Sequence, residues 1–183
     1  MLFEHSNNNI LSNLKDKGVE EKRESRLEDQ LEKCNGFSDI FELVKKVVKE
    51  LLNQYRVGLM LVLADLPINV GAFHTLGSNT IVMNRTLLRL FERYESNFKK
   101  EFIFLILLHE YLHTLGYTNE ADVRILSYKI VTEAFGMEHP LSRIAEHGPF
   151  SLIQEMSQRS IFDSKDDPEL VRDLENAKHP YIQ

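Results

Sequence analysis

Residues 109–120 read His-Glu-Tyr-Leu-His-Thr-Leu-Gly-Tyr-Thr-Asn-Glu. The stretch holds H-E-x-x-H, followed by an acid seven positions after the second histidine. In an α-helix His109 and His113 stand one turn above the other on a single face. Two imidazoles so placed can share one Zn²⁺, which takes nitrogen ligands at about 2.0–2.1 Å. Glu110 lies about 100° further round the helix. From there its carboxylate can act as general base toward a water at the metal. The pattern predicts a zinc hydrolase, with peptidase as the leading class.

The flanks predict the helix that the motif needs. Phe102 to Leu108 is an unbroken apolar run, and Leu112 and Leu115 carry the apolar face onward. Histidines in a buried helix need polar partners. A structural pair satisfied by hydrogen bonds is the plain alternative, and the four-residue spacing favours a metal. The helix is expected from about Lys99 to Leu115, with Gly116 as its stop.

A catalytic zinc takes three protein ligands and leaves a position open. Metzincins place the third three residues after the glycine, which here is Asn119, a poor zinc ligand. Glu120 follows at the start of the next helix, and Gly116 lets the chain turn sharply toward it. Glu120 either completes the metal site or simply favours the positive end of its helix. The need for a third donor favours the ligand role.

Upstream, Ser38 is a candidate N-cap for a helix from Asp39 to about Asn53, with Phe41, Val44, Val48 and Leu51 as its apolar stripe. Val57 to Ala64 reads as a buried strand ended by Asp65-Leu-Pro67. Asn69 to Leu76 and Thr80 to Met83 flank Gly77-Ser78-Asn79, a hairpin signature. Asn84 is expected to cap a helix to about Tyr94. Downstream, a helix from Asn119 or Glu120 to about Phe135 is closed by Gly136, and Glu138 to His147 is a loop or short helix. Two weaker helical patterns cover Phe150 to Ile161 and Pro168 to Ala177.

Composition bounds the class. The 183 residues are 43% hydrophobic, enough for one domain with a core plus extensions. With 28 acidic against 22 basic residues, no basic stripe is available for nucleic acid. Positions 15–33 are dense in charge, with Val19, Leu27 and Leu31 almost alone as apolar residues. They are expected to form a solvated helix or a disordered arm outside the core. The lone Cys34 excludes an internal disulfide and suits a reducing compartment. No signal peptide or membrane span is read, so a soluble, cytoplasmic protein is expected. The domain division expected is 1–35 as a charged extension, 36–149 as the peptidase domain and 150–183 as a helical extension.

Beyond the motif, several segments carry a resemblance. Glu120-Ala-Asp122 resembles the Glu-Ala-Asp signature of gluzincins related to HtpX and the CAAX prenyl proteases. Glu138-His-Pro-Leu-Ser-Arg143-Ile resembles their His-Pro-x-x-x-x-Arg-Ile segment, two residues shorter. Asn69-Val-Gly-Ala-Phe-His and Thr80-Ile-Val-Met-Asn-Arg-Thr-Leu-Leu are similar to their edge strand, following strand and helix start. The likeness covers about residues 57–147 in order. Those enzymes are embedded in membranes, so the chain looks most like the small soluble minigluzincin and selecase peptidases. The gap from His113 to Glu120 is shorter than in the membrane enzymes.

The resemblance implies an α+β zincin-like (gluzincin) domain. Its parts are a short three-stranded sheet, a backing helix, the H-E-x-x-H helix and a glutamate helix, with helical extensions. It implies Zn²⁺ held by His109, His113 and Glu120, and Glu110 as the catalytic base. Asp122 would orient a ligand imidazole, and Arg143 would either pair with Glu120 or be a surface charge. His139 or Tyr117 would donate to the oxyanion. An extended or unfolded polypeptide substrate would pair with the edge strand, where His74 either lines the cleft or is structural. Cys34 is read as an inert thiol ahead of a latent cap for the metal. The resemblance also implies latency through a terminal extension or self-association. The alternative from another class is a non-catalytic zinc-folded protein that binds peptides or oligomerises, which would have no use for Glu110.

Overall fold

A computed structural model describes residues 17–93, 98–148 and 169–171. The described elements are α1 (Lys17–Lys33), α2 (Phe37–Leu52), β1 (Met60–Ala64), β2 (Ala72–His74), β3 (Thr80–Asn84) and α3 (Arg85–Arg93). They continue with α4 (Lys99–Thr114), α5 (Glu120–Phe135), α6 (Pro140–His147) and β4 (Glu169–Val171). The class is mixed α+β, as expected.

The sheet order is β2-β3-β1-β4. β1 runs parallel to β3, from Met60 opposite Thr80 to Ala64 opposite Asn84. β2 is antiparallel to β3, with Ala72 opposite Met83 and His74 opposite Ile81. Period-two alternation sends Leu61, Leu63, Ile81 and Met83 to the buried face. The expected hairpin is present, and His74 is structural within it, its Nδ1 lying 3.0 Å from the carbonyl of Thr80.

α4 runs through the core. Seven consecutive buried residues, Phe102 to Leu108, point in every direction round a helix. They meet α2, α5 and β2. Tyr111 packs edge-on against Phe41 at 5.5 Å, and Phe104 against Phe135 at 5.3 Å. His109 is therefore the first residue after the apolar run to leave full burial.

Asn84 caps α3 as expected, its Oδ1 accepting the N–H of Thr86 at 2.9 Å. Its amide nitrogen also donates to the carbonyls of Leu66, Pro67 and Val70, which fixes the loop leading into β2. Tyr94, the expected end of that helix, lies outside the described residues. α2 begins two residues earlier than expected, with Gly36 rather than Ser38 at its N-cap. No side chain caps it; Asp39 instead accepts the N–H of Asn35 at 2.9 Å.

Two expectations about the extensions are corrected. α1 is part of the core, because Leu27 and Leu31 are 1% and 3% exposed and Cys34, just past the helix end, is 6% exposed. Spaced by four and three, they form one narrow stripe. That stripe docks α1 on α2, α4 and α5 while the charged residues stay solvated. In the C-terminal extension, Glu169–Val171 is a strand, where a helix was expected. It pairs antiparallel with β1, Leu61 opposite Val171 and Leu63 opposite Glu169, and gives the sheet a fourth strand. The unpaired backbone of β1 overrides a weak helical pattern. The pattern at Phe150 to Ile161 lies outside the described residues. No described helix is long and apolar enough to cross a membrane.

Candidate metal centre

His109 and His113 leave α4 on one face with their rings 4.9 Å apart. Their Nε2 atoms approach to 3.2 Å. The chain must then reverse, and Gly116 does this at φ +100°, a backbone angle that a side chain disfavours. The N–H of Gly116 donates to His113 and that of Tyr117 to Leu112, the two bonds of a Schellman cap. Asn119, excluded above as a ligand, caps α5: its Oδ1 accepts the N–H groups of Ala121 and Asp122 at 2.9 and 3.1 Å. Glu120 is thereby the first residue of α5. Its Oε2 lies 3.1 Å from Nε2 of His109, and its Oε1 3.1 Å from Nε2 of His113.

The donor set fits a metal. Four ligands at about 2.0–2.1 Å round zinc stand about 3.3–3.4 Å apart; here the two Nε2 atoms stand 3.2 Å apart, and each lies 3.1 Å from a different oxygen of the Glu120 carboxylate. The tautomer of His113 sharpens the fit. Its Nδ1 faces the carbonyl of Tyr117 at 2.7 Å and must carry the hydrogen. With the hydrogen on Nδ1, the neutral form of His113 would present a lone pair at Nε2 to a carboxylate oxygen, an acceptor facing an acceptor. A cation between them satisfies both. His109, His113 and Glu120 are the group among the described residues with metal-binding geometry. Glu120 leaves the centre open on one side, its side chain 73% exposed against 11% for His113.

The electrostatics agree with a cation site. Burial holds the pKa of His109 below its ordinary value, and neighbouring His113 adds to this against the pull of Glu120. The ring stays neutral and able to ligate. Glu110, also buried, has its carboxyl pushed up to about 8, chiefly by burial and then by the charge of Glu120. A cation nearby would bring it down again.

The remaining candidates are distributed unevenly. Tyr117 joins the site through its main-chain carbonyl and is half-buried. Asp122 is exposed in the first turn of α5, and the acceptor that orients an imidazole is Tyr117 instead. Arg143 does not pair with Glu120; it bonds exposed Glu138 at 3.0 Å, five residues back and within easier reach. His139 is the N-cap of α6, its Nδ1 accepting the N–H of Leu141 at 3.1 Å. Its other nitrogen faces Glu28 of α1 at 3.8 Å. Cys34 is buried with its thiol donating to Gln30, and burial raises its pKa, as an inert thiol requires.

Two residues near the site carry little signal in the sequence. Arg124, one turn beyond Glu120, contributes positive potential at His109. Its four-residue spacing from Glu120 was the available signal. Arg56 contacts the end of α4, and no sequence signal marks it. No protein-family model, curated protein or solved structure matches the chain.

Proposed function

We propose that the chain is a zinc-dependent peptidase of the gluzincin type, acting on extended or unfolded polypeptide. The observation that carries this reading is the convergence of His109, His113 and Glu120 within 3.1–3.2 Å, with a buried acid next to His109 in the chain. When bound there, zinc supplies Lewis-acid polarisation of a carbonyl and acidifies water to a pKa of about 7. Glu110 takes a proton on its carboxylate and returns it to the leaving amine. His113 keeps its ligating nitrogen free because the Tyr117 carbonyl holds the proton on Nδ1.

Tyr117 is the better donor for the developing oxyanion, since both ring nitrogens of His139 are turned to Leu141 and Glu28. Peptide binding is assigned to β2, the end strand of the sheet, whose described pairing is with β3 alone. An extended substrate can add to its open edge.

The test uses full-length protein loaded with one equivalent of zinc and fluorescein-labelled casein. Cleavage that a chelator stops, zinc restores and Glu110→Gln slows by about 10²–10⁴ is expected. A zinc-loaded protein that cleaves nothing, or a Glu110→Gln variant as active as wild type, overturns the reading. The first outcome leaves the non-catalytic zinc-folded protein as the alternative.

A further inference from the structure

Arg56 lies between α2 and β1, outside every motif, yet it touches two parts of the molecule at once. Its main-chain N–H donates to the Tyr111 hydroxyl at 2.8 Å, and its carbonyl accepts from that hydroxyl at 3.2 Å. Its guanidinium donates to the carbonyl of Thr114 at 2.6 Å. It also donates to the carbonyl of Ser78 at 2.9 Å and to Asn79 Oδ1 at 2.8 Å. Tyr111 and Thr114 belong to α4, whereas Ser78 and Asn79 lie in the turn between β2 and β3.

We infer that Arg56 is a positioning residue that sets the turn after α4, and through it the ring of His113, while tying the same helix end to the β2–β3 hairpin. The carbonyl of Thr114 is one of the last in its helix and has no intrahelical partner. It also lies at the negative end of the helix dipole, where a cation binds best. Thr114 lies inside the Schellman turn, which closes at Tyr117, whose carbonyl fixes the tautomer of His113. Holding Thr114 therefore holds the acceptor that orients the ligand. Lysine is no substitute, because its single ammonium cannot serve three acceptors in the fixed fork of a guanidinium.

This role rests on the metal-site reading, but its first measurement needs no metal. Backbone amide exchange is followed by NMR in zinc-free wild type, Arg56→Gln and Arg56→Lys. Ile40→Val, in the α2 core, is the control for general destabilisation. Exchange at Leu115, Gly116 and Tyr117 should rise at least tenfold in Arg56→Gln beyond the rise in the control, while Ile130 and Val131 in α5 follow the control. Arg56→Lys should fall between, and it alone decides the matter should Arg56→Gln not fold. The dissociation constant for zinc should weaken at least tenfold in Arg56→Gln and less in Arg56→Lys. Exchange at those three amides no faster than in the control overturns the inference. A wild type that takes up no zinc overturns the metal reading instead, and the exchange comparison still decides the role of Arg56.

Discussion

The main-chain carbonyl of Tyr117 stands 2.7 Å from Nδ1 of His113 and so decides which nitrogen of that ring is free to ligate. The metal is expected to bind once per chain. His109→Ala or His113→Ala should abolish stoichiometric zinc, and Glu120→Gln should weaken binding, because two donors do not fill a zinc site. Elemental analysis after dialysis checks this, and full occupancy in His113→Ala contradicts it.

Glu110→Gln should keep the fold and the zinc but slow peptide cleavage by about 10²–10⁴, the usual contribution of one general acid–base group. The amide preserves the shape of the buried side chain and removes the proton acceptor. Zinc content and cleavage rate measured on one preparation separate the two roles.

His139 is expected to matter for stability rather than for turnover. As the N-cap of α6 it satisfies the N–H of Leu141, and loss of such a cap costs about 0.5–2 kcal/mol. His139→Ala should lower denaturant stability by that amount, and His139→Asn, itself a good cap, should recover most of it. Neither should change the rate of a zinc-loaded protein. A His139→Asn variant that is stable but inactive, beside a wild type that cleaves, would return the proposed oxyanion role to this residue.

Glu101 predicts a pH dependence. Its Oε2 is buried without a hydrogen-bond partner, and burial raises its pKa above the ordinary carboxylate value. The folded state thus holds the proton more tightly than the unfolded chain. Its contribution is fully present below the unfolded pKa of about 4.3 and is lost as pH rises through the folded value. Glu101→Gln should therefore raise the melting temperature at pH 8 and leave it nearly unchanged at pH 4. Parallel melting curves with no growing difference between those pH values would contradict this.

The N-terminal helix should behave as core. Leu31→Ala removes a side chain that is 3% exposed and should cost about 2–5 kcal/mol. Urea unfolding checks this; a change near zero would mean that α1 is a dispensable arm.

The sequence made the centre of the molecule legible and its margins less so. The run from Phe102 to Leu108, the stop at Gly116 and the Asn119–Glu120 helix start all act within a few residues, and those elements stand where they were read. Three features depend on partners distant in the chain. Leu27 and Leu31 look too sparse for a core until α2, α4 and α5 meet them. Glu169–Val171 has weak local preference and takes its form from β1. Arg56 owes its contacts to segments 22 and 58 residues away. The same division applies within the site: the grouping of His109, His113 and Glu120 follows from their spacing, whereas the roles of Asp122 and Arg143 rest on resemblance and the structure places Asp122 exposed in the first turn of α5 and Arg143 on Glu138.

Six residues separate His113 from Glu120, and their path is already set by the glycine turn and the cap at Asn119. An ion bridging the two closes a loop that is closed without it, so it removes little freedom from the unfolded chain. The scaffold should assemble first and take its metal afterwards, in contrast to zinc fingers, which stay unfolded until loaded. Emptying and refilling the centre should then be an event at a finished surface, with the exposed Glu120 carboxylate on its solvent side.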